Sequence, residues 1–190
     1  EEIKDLCPID FYEDEFVHKT EHSIELQLIF LGALWQRKDP FRIVPVLCGS
    51  FHEPILKDHS PMDLPEVGQF IEALRKVIAK SQRRVCLLAS ADLAHVGLRF
   101  GDREAPNRFT LQSLGEDDRR LLEYAARLDA EGFYNSIRLE KDRRRICGLP
   151  QIYTLLRLVD SREGKLLKYG QSMDPPTQSV VTFASLAFFS

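Results

Sequence analysis

The stretch Arg84-Val85-Cys86-Leu87-Leu88-Ala89-Ser90 constrains the fold of this chain more than any other. After its first residue it is apolar almost without interruption. A strand with one wet face alternates polar and apolar residues, so an unbroken run fits a strand covered on both faces, as in a parallel sheet. The run Arg42-Ile43-Val44-Pro45-Val46-Leu47-Cys48-Gly49 reads as a second strand, with Pro45 marking an edge or a bulge. Between them, residues 50–65 hold three prolines and read as a loop. Glu66 to Lys80 is an amphipathic helix with Val67, Phe70, Ile71, Leu74, Val77 and Ile78 on its inner face.

Helical and strand patterns continue to alternate on either side. Glu1 to Leu6 looks like the end of a helix, and Cys7 to Asp10 a short strand or loop. Thr20 suits an N-cap, and Ile24, Leu28 and Leu31 recur at helical spacing in a helix that ends before Pro40. Residues 97–110 are polar and read as loop. Leu114 to Leu128, Ala130 to Leu139 and Gly148 to Val159 read as helices. Lys165 to Ser172 and Ser179 to Phe189 are two closing strands joined through Asp174-Pro175-Pro176. This order implies an α/β fold with a mixed or mainly parallel sheet flanked by helices on both faces. The length suits a single domain over residues 1–190. The chain starts at Glu1 without a Met, within a structural unit, so an N-terminal portion is expected to be missing.

Composition narrows the function classes. The formal net charge is −3 and the pI near 6.0, without the basic footprint of a nucleic-acid binder. The sequence has no apolar run of membrane-spanning length and no signal-like start. The four cysteines, Cys7, Cys48, Cys86 and Cys147, lack CxxC spacing, and a reducing cytoplasm is the simplest compartment.

Three short segments carry side chains suited to chemistry. In Glu21-His22-Ser23-Ile24-Glu25, His22 falls in the first helical turn, where the helix dipole favours a neutral imidazole with a lone pair for a metal. Glu25 could orient the ring. His22 as a simple polar cap is the alternative. In Ser90-Ala91-Asp92-Leu93-Ala94-His95, Asp92 and His95 follow the carboxyl end of a strand, where open sheets build sites. A spacing of three puts them on one side of a helical turn. There Asp92 could fix the His95 tautomer and leave the other nitrogen as a general acid or base. The alternative is an Asp-capped turn with an incidental histidine. Cys147, at the mouth of the helix that follows Gly148, stands after the basic residues Lys141, Arg143, Arg144 and Arg145. That setting predicts a lowered thiol pKa. A small buried residue entering a helix is the alternative.

Glu21-His22-Ser23-Ile24-Glu25-Leu26-Gln27-Leu28, Ser90-Ala91-Asp92-Leu93-Ala94-His95-Val96-Gly97, Ile146-Cys147-Gly148, Tyr169-Gly170-Gln171-Ser172 and Ser179-Val180-Val181 together resemble the Memo family (AmmeMemoRadiSam system protein B) over essentially the whole chain. The resemblance implies a fold like that of class III extradiol dioxygenases and a pocket of two histidines and a cysteine. By motif it implies His22 and Cys147 as metal ligands, with Asp92 and His95 as the catalytic acid–base pair. It also implies iron(II) or copper as cofactor, redox effects and peptide binding. The family's N-terminal strand and its Pro-His-Ala-Gly-type loop, which supplies the first histidine, have no counterpart here. Ala91 stands where a second Ser is common, and Val96 where an aromatic is common. With one family histidine missing, two protein ligands would hold such an ion weakly or leave it absent.

Three functions follow as expectations. The first is a Memo-like metal pocket with no assigned reaction which, if catalytic, belongs to a dioxygenase-like oxidoreductase acting on a small molecule. The second is a non-catalytic module that binds a peptide or phosphopeptide through the same pocket and the Arg143 to Arg145 run. The third is a thiol enzyme using Cys147 and His95.

Overall fold

The computed structural model of the chain describes residues 2–35 and 41–189. It contains helices α1 (Glu2–Leu6), α2 (Ser23–Leu34), α3 (His52–Lys57), α4 (Pro65–Lys80), α5 (Arg108–Ala126), α6 (Ala130–Leu139) and α7 (Leu149–Leu158). The strands are β1 (His95–Gly97), β2 (Glu163–Asp174) and β3 (Ser179–Phe189).

The sheet grows from the β2–β3 hairpin. Its two strands pair antiparallel from Glu163 opposite Phe189 to Asp174 opposite Ser179, with an irregularity between Leu166 and Lys168. The Thr177 hydroxyl donates to the Asp174 carboxylate at 2.7 Å and closes the turn that contains the two prolines. On the other side of β3, β1 pairs antiparallel with His95 opposite Val181 and Gly97 opposite Ser179. The strand order is therefore β1-β3-β2. Helices and sheet are combined as an α/β chain requires, but the observed sheet is antiparallel, not mixed or mainly parallel. The reason lies in residues 42–48 and 84–90: neither run forms a strand among the described residues. A strand exists only where a neighbour accepts its hydrogen bonds, and neither run has one in the sheet.

The core lies where α5, α6 and α7 meet the sheet. Leu114, Leu121, Leu122 and Ala125 form the inner stripe of α5. Phe133, Tyr134 and Ile137 come from α6, Leu149, Tyr153 and Leu156 from α7, and Val180 from β3. Phe51 and Ile55 extend the cluster to the segment around α3. Prolines did not keep residues 50–65 irregular. Pro54 sits in the first turn of α3, and Pro61 opens a 3-10 turn capped by Ser60, both places where the missing N–H costs nothing. α5 starts well before Leu114 because Asn107 caps it, accepting from the N–H groups of Phe109 and Thr110. α2 ends at Leu34, while Pro40 lies outside the described residues. No helix among the described residues is long and apolar enough to cross a membrane.

Candidate metal centre

Two loops meet to form the site. The first, residues 91–94, leads into β1, and the second, residues 140–148, joins α6 to α7. The N–H of His95 donates to the Arg144 carbonyl at 2.7 Å, and the N–H of Gly148 donates to the Asp92 carbonyl at 3.1 Å. The first loop is also tied to β3: Leu93 donates to the Thr182 carbonyl at 2.8 Å, and Ala94 accepts from the Thr182 N–H at 2.9 Å. Gly148 has an ordinary φ of −74°, so conformational freedom is not its role. A Cβ there would stand 2.3 Å from the Asp92 carbonyl oxygen, so only a glycine lets the loops close.

This closure brings one carboxylate oxygen of Asp92, one ring nitrogen of His95 and Sγ of Cys147 within 4.8 Å of one another. Asp92 and Cys147 are exposed and His95 is half-buried. A catalytic transition-metal site uses three protein ligands, the number that these residues would supply. A carboxylate, an imidazole and a thiolate suit zinc, iron(II) or copper better than a hard cation. By donor chemistry, then, these residues fit a transition metal.

Asp92 and His95 are not on a helical turn. Asp92 lies in the loop and His95 is the first residue of β1. Nor does Asp92 fix the imidazole. Nδ1 of His95 faces two carbonyl oxygens, Leu93 at 3.1 Å and Arg145 at 3.2 Å. Carbonyls only accept, so in the neutral ring Nδ1 carries the proton and Nε2 keeps the lone pair. Phe100 packs edge-on against the ring, with centroids 5.0 Å apart.

The Cys147 thiol is raised, not lowered. Desolvation of the sulfur pushes it up although the residue as a whole is exposed, and the Asp92 and Asp142 carboxylates add to this, outweighing the hydrogen bond toward the Asp92 carbonyl. The basic run does not offset this because its guanidinium groups are engaged elsewhere. Arg143 pairs with Asp117 and Glu140, Arg144 with Asp118 and Glu140, and Arg145 with Asp102.

His22 is not one of the three residues whose ligand atoms converge. It is exposed and occupies the N-cap of α2 with no capping bond from its side chain. Thr20 instead closes the preceding 3-10 turn on Val17. Glu21, not Glu25, organises the start of α2. Its carboxylate accepts from the N–H groups of His22 and Ser23, each at 2.8 Å, and the Ser23 N–H foremost holds it below the usual carboxylate range. The Ser90 hydroxyl donates to the Ser23 carbonyl at 2.9 Å, which ties the start of α2 to the segment leading into Asp92.

A cavity of about 340 Å³ opens between residues 48–52 and the 142–151 segment, with Cys147, Arg145 and His52 in its wall. Its size is that of a small-molecule site. A second cavity of about 360 Å³, walled by Arg75, Asp129, Glu131 and Arg157, contains none of the three metal-capable residues.

The sequence motifs correspond to a known family. The family model described as Memo-like protein matches residues 1–187. The chain belongs to the Memo-like family. Among curated relatives, a MEMO1 family protein of Aquifex aeolicus is 28% identical over 192 residues, covering 100% of this chain and 46% of the relative. One from Thermococcus onnurineus is 29% identical, covering 92% and 58%. One from Thermus thermophilus is 33% identical, covering 95% and 48%. The chain thus spans about half the length of the curated Memo relatives it matches.

Sequence reasoning missed Asp102, Arg145 as a structural partner of His95, and the buried Asp118–Arg144 pair. Asp118 left a readable signal, an acid at the centre of the apolar stripe Leu114, Leu121, Leu122 and Ala125. Asp102 left none, since its partner lies 43 residues away.

Proposed function

We propose that this Memo-like chain binds a transition metal through His95, Cys147 and Asp92, next to a cavity that admits a small molecule. The single observation that carries the reading is the convergence of these three ligand types from two distant loops. Iron(II) and copper are the proposed ions, with zinc admissible by the same donor chemistry. A bound ion would polarise an oxygen of a ligand or, if redox-active, exchange an electron with it. The chain's own residues supply the rest. Nε2 of His95 accepts a proton or a metal, and Asp92 adds negative charge at the exposed edge. His22, joined to the same region through Ser23 and Ser90, is the proposed further ligand. An arrangement like that of the extradiol dioxygenases and a cytoplasmic setting belong to the same proposal. All four cysteines are free, which suits a reducing compartment.

The test is metal content after anaerobic reconstitution with iron(II), copper(I) or zinc(II). Near-stoichiometric uptake is expected in the wild type, with most of it lost in Cys147→Ser and His95→Ala. A smaller loss in His22→Ala would assign His22 to the site. Equal metal content in wild type, Cys147→Ser and His95→Ala would sink the proposal.

A further inference from the structure

Arg145 touches His95 in two ways. Its backbone carbonyl lies 3.2 Å from Nδ1 of the imidazole, where it shares the ring N–H with the Leu93 carbonyl at 3.1 Å. Its guanidinium donates to the His95 carbonyl at 3.0 Å and to the Asp102 carboxylate at 2.7 Å. Asp102 in turn accepts from the N–H of Gly97, two residues beyond His95, at 2.7 Å. The histidine is therefore gripped on its ring, its own carbonyl and the strand that follows it.

The backbone of this grip is unusual. Arg145 has φ of +52°, and Lys141 and Asp142 are also left-handed, at +53° and +47°. A side chain bearing Cβ disfavours that region, and such conformations persist where surrounding contacts over-determine them. Here they are over-determined. Arg145 N–H donates to the Asp142 carbonyl at 2.9 Å, Asp142 N–H to the Ile137 carbonyl at 3.0 Å, and Ile146 N–H to the Asp142 carboxylate at 2.8 Å. Arg145 holds this conformation while its carbonyl faces the imidazole.

From this geometry we infer that Arg145, clamped by Asp102, is a positioning residue that locks His95 in the Nδ1–H tautomer and so presents Nε2 as the bare nitrogen of the site. The role deepens the metal-centre reading and rests on it for its purpose, but the tautomer itself is a property of the metal-free chain. Second partners that fix a ligating histidine in this way are worth roughly tenfold to a hundredfold in metal affinity.

The experiment is long-range ¹H–¹⁵N correlation NMR of the histidine side chains in metal-free, ¹⁵N-labelled protein at neutral pH. The chain has five histidines, and His95→Gln assigns the signal by its loss. The wild type is expected to show His95 protonated at Nδ1. Arg145→Ala and Asp102→Asn should both shift it toward the Nε2–H form or a mixture, and Arg145→Lys, which keeps one cationic donor, should fall between. Zinc affinity should drop about tenfold or more in Arg145→Ala. An Nε2–H ring in the wild type would overturn the inference, as would an unchanged tautomer in both folded variants. Loss of fold in both variants, seen by circular dichroism, would make the pair merely structural and overturn it as well. A wild type that shows the Nδ1–H ring yet takes up no metal would refute the metal reading while leaving the positioning role standing.

Discussion

A methyl group on Gly148 has nowhere to go. It would stand 2.3 Å from the Asp92 carbonyl oxygen and 2.7 Å from the Ala91 methyl, both on the facing loop. Gly148→Ala must therefore push the two site loops apart. The expected result is a loss of about 1–3 kcal/mol of stability, typical of overpacking, measured by urea unfolding. A fall in zinc uptake should accompany it, because Cys147 is the adjacent residue. Stability and uptake equal to wild type would show that the loops yield freely. Cys147 invites a second test. Desolvation of the sulfur pushes its thiol up, and a thiol above its ordinary value is mostly protonated at pH 7 and a poor nucleophile. Iodoacetamide at pH 7, followed by peptide mapping, should modify Cys147 only slowly, although the residue is exposed, as Cys86 is. Rapid labelling of Cys147 would instead restore the thiol-enzyme reading.

Among the elements, the helix-to-helix loop is anchored by a buried ion pair. Arg144 and Asp118 meet at 2.5 Å with side chains 4% and 0% exposed, and Tyr169 donates to the second Asp118 oxygen at 2.9 Å. Arg144 also supplies the carbonyl that holds His95. Asp118→Ala removes the buried partner of Arg144 and leaves it Glu140 alone, so a cost of about 1.5–3 kcal/mol, that of a hydrogen bond to a charged group, is expected in chemical denaturation. A cost below about 1 kcal/mol would mean that water reaches Arg144. The loop after β1 has a pH signature. Burial of the Asp102 carboxyl works against its charge, but the Arg145 guanidinium and the Gly97 N–H hold it below its ordinary 3.8. A carboxyl with a depressed folded-state pKa stabilises the protein above the unfolded value and loses that contribution as pH falls through the folded one. Asp102→Asn should therefore be less stable than wild type at pH 7, with the gap shrinking as the pH falls below 3.8. A gap that persists unchanged at pH 3 would assign the effect to packing. The same elements show what a sequence can display. α4, α6, α7 and the β2–β3 hairpin were legible because each carries a periodic apolar pattern bounded by its own signals. Residues 42–48 and 84–90 were misread for a physical reason: composition makes a segment willing to be a strand, and only a neighbour makes it one.

Over the whole molecule, the site was legible as motifs and not as geometry. Asp92, His95 and Cys147 could be named from loop position, yet their convergence depends on Gly148, and their orientation depends on Arg145 and Asp102, contacts with no sequence period. His22 could be named equally well and lies outside the group. The apolar surface was the least legible feature. α2 is apolar around most of its circumference and has no buried residue, with Ile29 61%, Phe30 65% and Leu34 77% exposed. Val44, Val85 and Leu88, from the two segments expected to be covered strands, are exposed as well. A helix apolar on all sides normally lies inside a core, and contiguous apolar surface on a soluble chain drives association. A net charge of −3 gives little repulsion to oppose it. The 1–190 polypeptide is therefore expected to enhance the fluorescence of a hydrophobic dye and to run above its 21.9 kDa mass in size-exclusion chromatography with light scattering. Replacing Ile29 and Phe30 together by Glu should reduce both signals while leaving the helical circular dichroism intact, since those side chains touch little within the chain. If the double variant unfolds instead, the two residues are packed against something in solution. A monomer with no dye response would show that the face is already covered.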